Sequence, residues 1–461
     1  MLLLDFIHDA QWHDLPPDVQ RQAHRCLLDT LGAAIAGRQT RLSRIIHSFS
    51  AANFAGRGAY LWLDGREVSP PGAALANGMT IDALDIHDGS NDVKGHAGVA
   101  VVPSLLALQS LRQKDLHNHD ERGPDGRELL TALVIGYEVA LRAGVALHAT
   151  ACDYHTSGAW NAIGGAAVAA RRLRLDDAQT RHALGIAEYH GPRSPMMRGI
   201  DFPTMLKDGS GWGVMAGVSA GLLAREGFTG APAETVEGAD TDALWRDLGQ
   251  RWRVADLYFK PYAVCRWAQP AITAALSLQE SRPFPFEDVE EIRVHTFGEA
   301  VRLSQRRPRT TEEAQYSLPF PLAAALVYGE LGWAQLDEAA LQDPRVLSLA
   351  DRVQLIEAPD LSARFPSHRF ARLEIAMRDG AVLTSRQFEA PWEKENPPGD
   401  EALREKFRRL ASGLSPERVM RLETMLWHCA DVADANDLIA ELAPPPEASP
   451  SRTPLTVHHR P

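Results

Sequence analysis

Four apolar stretches rich in alanine and glycine constrain the fold of this 461-residue chain more than any other feature. They run through residues 97–111, 129–147, 158–172 and 209–225, and each has the length of one α-helix. Because small side chains let helix backbones approach closely, these segments predict core helices in a tightly packed array. Their charged ends and short apolar lengths argue against insertion into a membrane.

The pattern changes after about residue 268. Residues 289–297 alternate polar and apolar side chains as a strand does, and Asp379-Gly380 joins two strand-like runs as a hairpin turn. We therefore predict a mainly α protein with a smaller α+β domain. Residues 1–268 and 414–442 form the all-helical domain, residues 269–413 form the α+β lid, and the Pro/Ser-rich residues 443–461 form a disordered tail.

Composition excludes several classes of function. The chain has 48 Lys and Arg against 60 Asp and Glu, a net charge of −12, which argues against a nucleic-acid surface. The four cysteines lie far apart and form no CxxC pair, so neither a zinc ribbon nor a thioredoxin-type site is indicated. The N-terminus has acidic residues where a signal peptide has cations. We expect a cytoplasmic protein without a membrane span.

The densest group of chemically active side chains stands directly before the helix that starts near residue 97. Asp85, Asp88 and His96 belong to it, and a polar cluster beside a buried helix predicts the wall of a cleft. Each residue alone also fits a structural role. Asp85 and Asp88 fit a helix-capping role about as well as a role in a site, and His96 alone is better explained as a cap.

Three further polar segments lie at helix ends. They contain Tyr154 and His155, then Arg198 and Lys207, and finally Tyr262, Arg266 and Gln269. Free N–H groups at helix starts favour anions, so convergence of these ends would form a carboxylate-binding cleft. Lys207 is the clearest candidate because it stands in a Gly-rich turn before a buried helix, although Asp201 or Asp208 could be its partner. Arg198 and Arg266 fit structural ion pairs equally well.

Taken together, these segments resemble the MmgE/PrpD, or 2-methylcitrate dehydratase, family. The resemblance extends from near Leu15 to about Leu442 and rests on the order and spacing of several motifs. They include Leu84-Asp85-Ile-His-Asp88, His96-Ala-Gly98, His155-Thr-Ser-Gly158, Leu206-Lys207-Asp-Gly and Lys260-Pro-Tyr262. The resemblance implies a homodimer, an active site between a helical domain and an α+β lid, and neither a metal nor an organic cofactor.

Known members of the family act on small polycarboxylates as 2-methylcitrate dehydratases, cis-aconitate decarboxylases or iminodisuccinate epimerases. Carried over by motif, the resemblance implies site roles for Asp85, His96, His155 and Lys207. Tyr154 is a further candidate base. The candidate contacts to substrate are Asp88, Arg198, Tyr262, Arg266 and Gln269.

Three positions depart from the family pattern. Gly89 stands in place of a threonine, Gln269 in place of a histidine, and Phe320 in place of a lid tyrosine, with Tyr316 one turn earlier. The loss of two proton carriers argues against cis-aconitate decarboxylation. We predict a cofactor-independent, dehydratase-type lyase that removes a proton α to a carboxylate of a small polycarboxylate. An epimerase of a dicarboxylate amino or imino acid is the alternative, and a non-catalytic carboxylate-binding protein is a third hypothesis.

Overall fold

The computed structural model describes residues 2–109 and 124–445. Within these residues, eleven α-helices and a small hairpin precede residue 245. The helices are α1 (Leu3–Asp9), α2 (Pro17–Gly37), α3 (Arg41–Asn53), α4 (Pro70–Asp82), α5 (Gly98–Gln109), α6 (Gly126–Thr150), α7 (Gly158–Leu173), α8 (Asp177–His190), α9 (Met197–Asp201), α10 (Ser210–Arg225) and α11 (Glu234–Glu237). Strands β1 (Ala59–Tyr60) and β2 (Glu67–Val68) pair antiparallel as the hairpin.

Helices α4, α5, α7 and α10 form the centre of the first domain, and α10 packs against α7, α4, α8 and α5. The small residues set this packing distance. A Cβ atom on Gly217 of α10 would lie 2.4 Å from the carbonyl oxygen of Ala162 on α7. The predicted array of close-packed helices is therefore confirmed, and its alanines and glycines are what let the backbones touch.

Helix α6 alone, within residues 2–109 and 124–445, is long and apolar enough to cross a membrane by length and composition. Its most apolar window is 94% buried among other helices. A core helix of a folded domain has the same property, so this helix is weak evidence for a span.

The second domain is the predicted α+β unit. It contains α12 (Gln269–Ser281), β3 (Val289–Thr296), α13 (Gly298–Val301), α14 (Thr311–Gln315), α15 (Pro319–Tyr328), α16 (Pro344–Ala350), β4 (Val353–Glu357), α17 (Pro359–Ser362), β5 (Phe370–Met377), β6 (Val382–Thr384) and β7 (Phe388–Glu389). The sheet has the order β4-β3-β5-β6, with β7 also on β5 and only the β3–β4 pair parallel. The predicted hairpin at Asp379-Gly380 is confirmed as the β5–β6 connection.

The chain then returns to the helical domain through α18 (Asp400–Leu410), α19 (Pro416–Trp427) and α20 (Asn436–Leu442). Helix α18 precedes the predicted boundary at residue 414 but packs against α2. Its Lys406 ammonium lies 2.5 Å from Asp29 of α2 in a fully buried ion pair. Of the predicted disordered tail, Pro444 and Pro445 accept hydrogen bonds from Arg418, and residues 446–461 lie outside the described residues.

Candidate active site

A cavity lies where the two domains meet and contains about 580 Å³ of space free of protein atoms, part of it open to solvent. The first domain contributes Asp85, Lys94, His96, Tyr154 and Asp208 to its wall. The segment that joins the domains contributes Tyr258, Lys260, Cys265 and Arg266, and the second domain contributes Tyr316, Phe365 and Arg369. Most of the polar groups in this wall are charged or phenolic.

A buried ion pair between Asp85 and Lys260 forms the floor of the polar cluster. The Lys260 ammonium donates to Asp85 Oδ1 at 2.6 Å and to the Asp85 carbonyl oxygen at 2.9 Å. Burial alone would raise the pKa of Asp85, but the positive charges of Lys260 and Lys207 hold it well below its usual range. Asp85 adopts a left-handed backbone conformation with φ of 48°, which non-glycine residues rarely occupy outside sites that require it.

His96 is positioned as a neutral base. Its Nδ1 lies 2.5 Å from the carbonyl oxygen of Asp88, and because a carbonyl only accepts, Nδ1 carries the proton. Its Nε2 is 3.7 Å from Asp85 Oδ1 and carries the free lone pair of the ring, because the proton is on Nδ1. Burial, with the nearby His87 and Lys260, lowers the pKa of His96 to about 3. The ring is thus unprotonated at neutral pH.

Lys207 lies behind Tyr316 rather than at the cavity wall. Its ammonium donates to Gln315 Oε1 at 2.5 Å and stands 5.0 Å from the centre of the Tyr316 ring. Gln315 in turn donates to the Ala83 carbonyl oxygen at 3.0 Å, which links the two domains beside the cavity. The partner of Lys207 is therefore Gln315, not Asp201 or Asp208. Its backbone is also left-handed, with φ of 52°.

Asp208 is a buried carboxyl group that lines the cavity next to the pair Asp82 and His87. Its backbone N–H lies 3.3 Å from Asp82 Oδ2, and its Oδ1 has no hydrogen-bond partner within the described ranges. Burial and the negative charge of Asp82 raise the pKa of Asp208 and favour its protonated form. A neutral carboxyl group at a cavity wall is able to donate a proton.

Tyr258 occupies the space that a side chain at position 89 would need. A Cβ atom on Gly89 would lie 2.4 Å from the Tyr258 hydroxyl oxygen and 2.9 Å from His96 Nδ1. The backbone groups of Gly89 and Tyr258 also exchange hydrogen bonds at 3.1 and 2.9 Å. The glycine that departs from the family pattern is thus required by the phenol that lies against it.

The remaining predicted site residues of the first domain lie at the cavity wall, outside it or buried behind it. Tyr154 lines the cavity and donates its hydroxyl hydrogen to the Lys94 carbonyl oxygen. His155 lies outside the cavity wall, with Nδ1 2.7 Å from the Asp153 carbonyl oxygen. Asp88 is buried behind His96 and accepts the Tyr137 hydroxyl hydrogen at 2.5 Å. The substrate or catalytic roles of these residues stay predictions.

Two of the predicted substrate contacts are held by the protein itself, and two more lie outside the cavity wall. Arg266 lines the cavity but lies 2.8 Å from Glu393, so the ion-pair interpretation describes it. Gln269 donates to the carbonyl oxygens of Tyr262 and Val264 at the start of α12. Tyr262 is half-buried outside the cavity wall, and Arg198 is exposed on α9.

Sequence reasoning missed several cavity residues, namely Asp208, Tyr258, Lys260, Cys265, Tyr316 and Arg369. Lys260 and Cys265 belong to a segment that the sequence marked as polar, so a signal existed for them. Arg369 is preceded by no such motif. The expectation that the cavity lacks a lid tyrosine was wrong, because Phe320 lies in the core with no exposed surface while Tyr316 lines the cavity.

No group of three or more His, Cys, Asp or Glu side chains able to hold a metal ion occurs in the part of the chain that the structure describes. The four cysteines are unpaired with one another. Burial raises the pKa of Cys265, which lines the cavity, to about 12, so this thiol stays protonated at neutral pH.

Comparison with known proteins covers nearly the whole chain. Cis-aconitate decarboxylase-like protein oryM of Aspergillus oryzae is 24% identical over 95% of this chain and 96% of its own length. Cis-aconitate decarboxylase of Homo sapiens is 27% identical over 96% of this chain and 95% of its own length. The mitochondrial 2-methylcitrate dehydratase of Yarrowia lipolytica is 22% identical over 90% of this chain and 84% of its own length.

Family models locate the same two domains. The MmgE/PrpD N-terminal domain matches residues 2–245, and the MmgE/PrpD C-terminal domain matches residues 262–428. The cavity residues Tyr258 and Lys260 lie between the two matched ranges, at the junction seen in the structure. With both domains matched over most of its length, this chain belongs to the MmgE/PrpD family.

Proposed function

We propose that the protein is a lyase that removes a proton from carbon next to a carboxylate of a small polycarboxylate, and that it acts as a dehydratase. One observation carries the proposal: the neutral, oriented His96 stands beside the Lys260–Asp85 ion pair in the interdomain cavity. The similarity to proteins named cis-aconitate decarboxylase and 2-methylcitrate dehydratase supports a polycarboxylate as substrate.

In the proposed reaction His96 Nε2 takes the proton, and the electron pair of the C–H bond moves onto the adjacent carboxylate. The Lys260 ammonium stabilises the charge that develops there, since a fixed cation in a buried site needs no reorganisation. The electron pair then forms the carbon–carbon double bond while the C–O bond to the hydroxyl group breaks. Protonated Asp208 supplies the proton with which hydroxide leaves as water.

Decarboxylation is the second candidate. Tyr316 at the cavity wall restores a phenol that the sequence analysis assigned as absent, and several similar proteins are named cis-aconitate decarboxylases. In that reaction a carbon–carbon bond to a carboxylate breaks, carbon dioxide leaves, and a phenol or carboxyl group protonates the remaining carbon. The Tyr316 hydroxyl is the candidate donor for this step.

One experiment separates these reactions. The protein is incubated in D2O with citrate-type hydroxy acids, with cis-aconitate and with dicarboxylate amino or imino acids, and the products are followed by NMR. A new alkene signal from a hydroxy acid supports dehydration, and loss of a carbon as carbon dioxide with deuterium incorporation supports decarboxylation. Inversion with deuterium incorporation supports the alternative epimerase. Absence of turnover with every substrate would contradict all three enzymes and favour a binding protein.

We also propose that activity needs no metal or organic cofactor, which prolonged dialysis against a chelator tests by leaving the rate unchanged. The homodimer proposal is supported by six large apolar side chains within residues 189–228 that are exposed to solvent. They are Tyr189, Phe202, Leu206, Trp212, Leu223 and Phe228. Sedimentation equilibrium of the wild type and of Trp212→Glu tests it, with a monomeric variant as the expected result. We further propose that the protein is cytoplasmic, and fractionation of cells tests this location.

A further inference from the structure

Arg369 is the buried cation whose pairing the proposed chemistry leaves unexplained. It stands directly before β5 in the second domain, is 3% exposed, and lines the cavity. Its Nε and Nη1 atoms have no hydrogen-bond partner in residues 2–109 and 124–445. A buried guanidinium without an anion is costly, so such groups are normally paired.

The carboxylate that acts on Arg369, that of Glu393, is already engaged by other side chains. Glu393 is shared by Arg266, whose Nη2 is 2.8 Å from Oε1, and by Asn91, whose amide donates to Oε2 at 2.7 Å. Arg266 also stacks on the Tyr258 ring at 4.2 Å, which fixes it on the Glu393 side. Two guanidinium groups therefore face one carboxylate, and the second cation is Arg369.

The other charges of the cavity leave the same excess. Asp85 is neutralised by Lys260 at 2.6 Å, and Asp208 favours its neutral form because it is buried beside Asp82. No carboxylate lies within 4.0 Å of Arg369 or Lys94 among the described ion pairs. A chain with a net charge of −12 thus encloses a cavity of positive charge.

We infer that Arg369 binds a second carboxylate of the substrate, remote from the carbon that His96 deprotonates. This inference rests on the proposed function and narrows it, because it requires a substrate with a carboxylate beyond the one that activates the reacting C–H bond. A guanidinium presents parallel N–H groups that match the two oxygens of a carboxylate. A substrate bound there would contact both domains, since Arg369 and His96 come from different domains.

The test measures binding without turnover. Propane-1,2,3-tricarboxylate, which has no hydroxyl group to eliminate, and pentanedioate, which lacks the middle carboxylate, are titrated calorimetrically into the wild type and Arg369→Gln. Loss of a charged hydrogen-bonding group is expected to weaken tricarboxylate binding by about 10- to 100-fold. Arg369→Lys keeps the charge without the paired donors, so its affinity for the tricarboxylate should lie between those of the wild type and Arg369→Gln.

Arg369 lies over the Phe365 ring at 5.7 Å, and the matched control is Arg386→Gln, because Arg386 lies over the Phe388 ring at 4.5 Å but is exposed outside the cavity. It should bind as the wild type does. Equal affinity of the wild type and Arg369→Gln, or no tricarboxylate binding by the wild type, would overturn the inference. If Arg369→Gln does not fold, the affinity of Arg369→Lys decides in the same way. Tight wild-type binding without turnover of any substrate would instead contradict the proposed lyase alone.

Discussion

The two walls of the cavity differ in how their charges are satisfied. On the first domain, Asp85 pairs with Lys260, His96 is held by the Asp88 carbonyl oxygen, and Asp82 contacts His87. On the second domain, Arg369 has two unpartnered donors in the described chain. The reactive groups Asp85 and His96 of the first wall are held by the protein itself, whereas Arg369 on the second wall lacks a carboxylate partner among the described residues. The comparison suggests that the first wall carries chemistry and the second carries recognition.

The largest effect is expected from His96→Gln. Glutamine keeps a polar side chain of similar size but cannot take up a proton, so kcat should fall by about 10²- to 10⁴-fold. Steady-state kinetics on the substrate identified by NMR measures it. His182→Gln is the control, because His182 hydrogen-bonds the Gly230 carbonyl oxygen away from the cavity. Wild-type kcat in His96→Gln would remove the chemical role from the first wall.

Lys260→Met tests whether the first wall is completed by its own ion pair. The change leaves the Asp85 carboxylate buried without its counterion, so the free energy of unfolding should fall by about 3–5 kcal/mol. Denaturant titration measures this loss. The control is Lys394→Met, which removes the lysine of an exposed ion pair and should stay within about 0.5 kcal/mol of the wild type. Adding Asp85→Asn should restore much of the loss. A stable Lys260→Met would show that the pair is dispensable.

The pH dependence of stability tests the state of His96. Its pKa in the folded protein is about 3, below the ordinary value of 6.5. The part of the free energy of unfolding that depends on a neutral His96 is therefore fully present above pH 6.5. It is lost as the pH falls toward 3, since His96 of the unfolded chain takes up a proton first. Between pH 7 and 5 the wild type should lose about 2 kcal/mol more than His96→Gln does. Parallel curves for the two proteins would contradict a neutral, buried His96.

Gly89→Ala tests the contact between Gly89 and Tyr258. The new methyl group meets the Tyr258 hydroxyl, so the variant should lose about 1–3 kcal/mol of unfolding free energy. In a Tyr258→Ala background the same change should cost clearly less, and the remaining cost reflects the 2.9 Å approach of the new methyl group to His96 Nδ1. Gly399→Ala is the control, because nothing lies within 4 Å of a Cβ atom there. An equal cost in both backgrounds would place the strain elsewhere.

The smallest effect on stability is expected on the second wall. Arg369→Met removes a buried charge that has no counterion, so the free energy of unfolding without ligand should not fall and should rise by up to about 1 kcal/mol. Denaturant titration alongside Lys260→Met gives a direct comparison of the two walls. A loss as large as that of Lys260→Met would mean that Arg369 is paired within the protein, and the two walls would then be alike.

Much of the fold follows from local pattern. The small-residue helices around Gly217, the strand at residues 289–296 and the hairpin at Asp379-Gly380 are readable because their periodicity and turn residues act over a few neighbours. The place of α18 is different. Contacts with residues far away in the chain, such as the buried pair of Lys406 and Asp29, show that this helix packs on the helical domain.

By itself, the sequence determined the fold class, the family and the polar segments that contain Asp85, His96 and Lys260. It could not determine which of their neighbours share a cavity, because Arg369, Tyr316 and His96 are brought together only by the docking of two domains. The tertiary structure decided that Arg266 is neutralised by Glu393, that Tyr258 fills the space beside Gly89, and that Arg369 keeps an unpaired charge. Charge balance and steric exclusion depend on distances between distant residues, and a linear pattern does not contain them.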